Sequence, residues 1–86
     1  MKQNIIHLIT AYLNAQQNYL DSKVRVIPEQ SYTCIFCKYQ GMELEVCVYN
    51  DTFIKLKVDK MPFAICDGIK SFKQEFNRIS FLRYEW

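Results

Sequence analysis

The chain has 86 residues, of which 50% are hydrophobic and 15% aromatic, and 11 Lys and Arg stand against 9 Asp and Glu for a net charge of +2. That length supports one domain, and that apolar content excludes intrinsic disorder. The slight basic excess falls short of what a dedicated DNA-binding domain carries, and with no run of five like charges there is no polyelectrolyte arm. A chain of this size hides only roughly 60–65% of its unfolded surface, so its core is small and sensitive to substitution.

A chain that opens on Met1 at this length reads as a complete short gene product. The first twenty residues begin like a secretory leader, with Lys2 ahead of apolar residues. His7, Thr10, Tyr12 and Asn14 interrupt the apolar run, however, and no small-x-small cleavage site follows. Ile5, Ile9, Tyr12, Leu13, Gln16 and Leu20 instead recur at helical spacing, predicting an amphipathic helix over about 4–20 with Asn4 as N-cap and Asn14, Gln17 and Asn18 on its wet face. No stretch approaches the ~20 apolar residues of a membrane span. The expected setting is cytoplasmic, with reduced thiols.

Residues 23–27 alternate as a short strand that Pro28 stops and confines to an edge. Residues 31–39, 42–49 and 53–58 then read as three strands, joined by turns at Gln40-Gly41 and at residues 50–52. Residues that face each other across a ladder share a side of the sheet. A two-residue first turn pairs Tyr39 with Met42, Cys37 with Leu44, Ile35 with Val46 and Thr33 with Val48. A three-residue second turn pairs Val48 with Ile54, Val46 with Leu56 and Leu44 with Val58. Both turns place Leu44, Val46 and Val48 on one apolar face, so the two hairpins agree independently. The other face then carries Tyr32, Cys34, Phe36, Lys38, Glu43, Glu45, Cys47, Tyr49, Phe53, Lys55 and Lys57, with Lys38 opposite Glu43 and Glu45 opposite Lys57.

Residues 59–62 read as a linker. Ile65, Ile69, Phe72, Phe76 and Ile79 again follow helical spacing, and Gly68 weakens the start, so a helix is expected over about 67–78 with Asp67 or Ser71 as cap. The β-prone end either forms a last strand over 80–85 or extends that helix. The fold class that follows is α+β: an antiparallel meander of three to five strands, covered on one face by an N-terminal and a C-terminal helix, in two layers.

Cys34-Ile-Phe-Cys37 has the spacing of a zinc knuckle, but i and i+3 of a strand point to opposite faces, and no metal site or other cofactor is expected. Cys34 and Cys47 do face each other. In a reducing compartment they read as two half-buried thiols rather than a disulfide. His7 is the only histidine, the carboxylates are scattered, and two glycines leave no phosphate-cradling loop, so an enzyme is not expected. That leaves the aromatic face. Tyr32, Phe36, Tyr49 and Phe53, with Lys38, Lys55 and Lys57, form the candidate binding surface, unless the segment 81–86 or a helix covers it. Such a face suits a protein partner or a second copy of the chain in a homodimer. An RNA or single-stranded nucleic acid, stacked on the rings, is the alternative. The residue usage, rich in Lys, Asn, Gln, Ile and Tyr and poor in Gly, Pro and Ala, is what an AT-rich microbial or phage gene encodes. The expected role is a non-catalytic inhibitor or adaptor that occupies the surface of a larger host machine, such as a defence nuclease complex.

Overall fold

A computed structural model describes residues 2–16 and 18–84. The chain runs α1 (Lys2–Asn14), β1 (Arg25–Pro28), β2 (Thr33–Tyr39), β3 (Met42–Asn50), β4 (Phe53–Val58), β5 (Met61–Cys66) and α2 (Ile69–Tyr84). The five strands form one antiparallel sheet in the order β1-β2-β3-β4-β5, a meander throughout. Ile5, Ile9 and Leu13 of α1 and Phe72, Phe76 and Ile79 of α2 share one buried cluster with Ile35, Leu44, Val46, Val48, Ile54 and Leu56 of the sheet. Both helices therefore lie on the same face, and the architecture is the two-layer α+β arrangement expected from the sequence.

The register of the first hairpin is the one that side-chain parity dictates, from Tyr39 opposite Met42 to Thr33 opposite Val48. Its turn places Gln40 at φ 50° and Gly41 at φ 82°, the left-handed pair of a type I′ hairpin, whose twist matches that of the strands. Val48 opposite Ile54, Val46 opposite Leu56 and Leu44 opposite Val58 are also found. The second turn differs in detail. Asn50 pairs with Phe53, so Asp51 and Thr52 alone make the turn and Tyr49 is the extra residue of a bulge. The Asn50 side chain selects this form, because its Oδ1 accepts from Thr52 N at 2.9 Å and Thr52 Oγ1 at 3.0 Å.

The expected linker at 59–62 is instead a tight turn into a fifth strand. Asp59 and Lys60 adopt φ 52° and 68°, a second type I′ pair built without glycine. Asp59 Oδ1 accepts from Glu43 N at 2.9 Å, and Asp59 N donates to Glu43 O at 2.8 Å, which ties the turn to β3. Pro62 is tolerated within β5 because β5 is an edge strand and its register shifts beside Lys57. Ile65, read from its spacing as part of the C-terminal helical stripe, thus belongs to β5. At the other edge β1 spans Arg25–Pro28, displaced from the expected 23–27, and β2 starts at Thr33 rather than at residue 31.

Both helices differ from expectation at their ends. α1 starts before Asn4, so Asn4 is not its cap, and it stops at Asn14 rather than near residue 20. Beyond it Gln16 N donates to Leu13 O and Tyr19 N to Gln16 O, a run of tight turns. The chain then joins the sheet: Leu20 bridges Tyr39, Gln40 N donates to Tyr19 O, and Asp21 N donates to Lys38 O. Those bonds outcompete two further helical turns, in a segment whose asparagines favour turns anyway. Gln17 of the expected wet face lies outside the described residues. α2 starts at Ile69, with Gly68 rather than Asp67 or Ser71 at the cap position and Gly68 O accepting from Phe72 N at 3.0 Å. It continues to Tyr84, so the helical alternative holds over 80–84 and no strand forms there; residues 85 and 86 lie outside the described residues. No helix among the described residues is long and apolar enough to cross a membrane.

Candidate functional site

With both helices on one side, no helix or strand among the described residues lies across the other. Pairing arranges that open face in rows across the strands. One row runs Ile27, Cys34, Cys47, Lys55, Ile65, and the next runs Arg25, Phe36, Glu45, Lys57, Pro62. All seven candidate residues lie on this face or at its end. Lys38 stands opposite Glu43, and Phe53 closes the β3–β4 turn.

The end of the face nearest that turn is aromatic. Tyr32 stacks on Tyr49 with ring centroids 4.9 Å apart at 27°, and Tyr49 meets Phe53 at 5.1 Å and 40°. The bulge at Tyr49 and the tight turn bring Phe53 into this line. Lys55 Nζ lies 5.5 Å from the Tyr49 ring centre and 5.7 Å from that of Phe53, so the ammonium caps both rings. Further along, Arg25 covers Phe36 at 5.7 Å. Lys57 Nζ is 3.9 Å from Glu45 Oε2. Tyr32, Phe36 and Tyr49 are half-buried, whereas Phe53 at 36% and Ile65 at 66% stand well into solvent.

The cysteines divide as parity requires. Cys37 belongs to the helix-covered core, where burial pushes its thiol up to about 11. Cys34 lies on the opposite face, so the CxxC pair is not a chelate. Cys34 Sγ is instead 3.7 Å from Cys47 Sγ, and Glu45 Oε2 lies 3.8 Å from the first sulfur and 3.4 Å from the second. Both cysteines are 3% exposed, more deeply buried than the half-buried pair expected. Burial first, then the hydrogen bonds with Cys34 and Glu45, push the Cys47 thiol up to about 12; burial likewise raises Cys34. Among the described residues this is the group of three or more metal-ligating side chains whose ligand atoms converge, all within 4.8 Å of one another. Glu45 is not among the candidate residues that the sequence offers for this pair, although the i, i+2 spacing from Cys47 puts it on the same face.

His7 is exposed on α1, on the far side of the sheet from these thiols. A shallow cleft lined by Ser22, Arg25, Phe36, Lys38, Glu45 and Lys60 adjoins the charged end of the face. No protein-family model, curated protein or solved structure matches this chain.

Proposed function

We propose that the chain is a non-catalytic binding protein that takes a protein partner on its open sheet face. The observation that carries this reading is the uncovered aromatic line Tyr32–Tyr49–Phe53, flanked by Lys55 and the exposed Ile65. Partly exposed aromatics with nearby cations make the anchor-and-rim chemistry of protein interfaces. On this face Arg25, Lys38, Lys55 and Lys57 outnumber Glu43 and Glu45, so the fitting partner surface is apolar with an acidic rim. The sheet edges suit a partner less well. β1 is four residues long and ends in Pro28, and β5 carries Pro62, both of which interrupt strand addition.

The rings also weigh against nucleic acid as the primary ligand. Tyr32 and Tyr49 stack on each other at 4.9 Å, so those ring faces are occupied and a base cannot enter between them. A role as inhibitor or adaptor on the surface of a larger host assembly, the role expected from chain length and residue usage, is the specific form of this proposal.

Affinity capture from a microbial lysate, run in parallel with wild type, Phe53→Asp and Leu8→Asp, tests the reading. Leu8 is exposed on α1 and serves as the control. A stoichiometric protein kept by wild type and Leu8→Asp and lost by Phe53→Asp is expected. Self-association lost in Phe53→Asp alone would make the partner a second copy. Recovery of nucleic acid only, with binding that falls steeply as salt rises, would overturn the proposal.

A further inference from the structure

We propose that Cys34, Glu45 and Cys47 form a binding site for a divalent ion of the zinc class on the open face of the sheet. Three ligand atoms from two adjacent strands already stand at the separations such an ion imposes. Tetrahedral zinc, with Zn–S about 2.3 Å and Zn–O about 2.0–2.2 Å, sets its sulfurs about 3.8 Å apart and sulfur from oxygen about 3.5 Å. The chain holds its two sulfurs 3.7 Å apart, with Glu45 Oε2 at 3.4 and 3.8 Å. The point equidistant from the three atoms in their plane lies about 2.1 Å from each, so an ion needs only a small displacement from that plane to reach ordinary bond lengths. The fourth position falls to water or to an exchangeable donor.

Cross-strand pairing holds Cys34 against Cys47, and Glu45 follows from the i, i+2 rule on β3, so the ladder itself presets the triad. Thiolate ligands select zinc-class ions over magnesium or calcium, and the single carboxylate keeps the set within zinc's ordinary donors. A divalent ion held by two thiolates and a carboxylate leaves one negative charge. Lys57, 3.9 Å from the Glu45 oxygen, offsets it. Binding forms two metal–sulfur bonds and one metal–oxygen bond, and the two thiol protons pass to solvent. No electron is transferred. The site does not depend on the protein-partner reading, and its test needs no partner.

Cobalt(II) is the probe, titrated into the reduced full chain under argon. Thiolate-to-cobalt charge-transfer absorption with tetrahedral ligand-field bands, saturating at one equivalent and displaced by zinc, is expected. The bands should vanish in Cys34→Ser and Cys47→Ser and persist in Cys66→Ser, and Glu45→Gln should weaken cobalt at least about tenfold, since loss of an outer-shell partner alone costs about that much. Should a serine variant fail to fold, alkylation mapping of wild type gives the same answer: zinc should slow modification of Cys34 and Cys47 by a clearly larger factor than that of Cys37 and Cys66, which are buried away from the site and are slowed only by the added stability of the fold. Zinc in excess should also raise Tm by about 5 °C or more, by mass action on the folded state. Absence of charge-transfer bands, bands that survive both serine substitutions, or no differential protection by zinc would overturn the site.

Discussion

The two faces of this sheet are made from the same strands by alternation, and they differ in almost every physical respect. On one, Ile35, Val46, Val48, Ile54 and Leu56 are at most 1% exposed beneath two helices. On the other, no helix lies among the described residues, and side chains shield one another: Tyr32 against Tyr49, Lys55 over Tyr49 and Phe53, Arg25 over Phe36. Stability comes chiefly from the first face, because only there is apolar area removed from water across a whole layer. The second face has chemical variety in place of cover. A residue's role in this chain is therefore decided by its parity in the strand more than by its type; Cys34 and Cys37, three positions apart, show this directly.

The largest effect that sharpens the comparison is on stability. Phe72→Ala, in the helix layer at 0% exposure, should cost about 3–5 kcal/mol, a large share of the stability of a domain this small. Phe53→Ala on the open face should cost about 1 kcal/mol or less, since only exposed contacts with the Tyr49 ring and the Lys55 ammonium are lost. Urea unfolding monitored by circular dichroism measures both, and equal costs would dissolve the distinction between the faces.

A second contrast is one of pH. Burial holds Cys37 near 11 and, on the open face, Cys47 near 12, against an ordinary thiol value of 9.0. In that window the unfolded chain sheds protons that the folded chain keeps, so stability should fall as pH rises above 9 and be unaffected by these thiols well below it. Urea midpoints at pH 7.5, 9 and 10.5 follow the trend. Cys47→Ala should remove part of the slope, and an unchanged slope would assign the loss to other groups.

The smallest effect lies where the faces meet, at the β4–β5 turn. Lys60 holds φ 68° without the freedom of glycine. Lys60→Gly should stabilise by up to about 1 kcal/mol, the left-handed cost relieved less the entropy that glycine adds to the unfolded chain. A loss of stability in the same unfolding assay would mean that the lysine side chain contributes more than its backbone costs.

How much of this was legible in the sequence follows the same division. Pairings within β2–β3 and β3–β4 could be read because both turns are short and alternation has only two answers. Strand β5 was hidden because Asp59-Lys60 makes a left-handed turn without a glycine, Pro62 reads as a breaker, and Ile65 falls in phase with Ile69 and Phe72 of the following helix. The end of α1 was misplaced because Gln16 and Leu20 keep the helical spacing while their backbone turns away to meet β2, a tertiary preference that local pattern does not encode. On the open face, the seven aromatic and lysine residues could be listed from parity alone. The thiol–carboxylate triad needed distances: Glu45 has the parity of its neighbours, but only its side-chain direction brings it to the sulfurs rather than wholly to Lys57.

Hydroxyl-radical footprinting of the isolated chain at submicromolar concentration decides whether the second face is open, because it reads side-chain exposure ring by ring. An open face predicts rapid oxidation of Tyr32, Tyr49 and Phe53, with protection of the buried Tyr39, Phe72 and Phe76. Protection of Phe53 and Tyr49 to the level of Phe72 in the monomer would mean that the face is covered, and would contradict it.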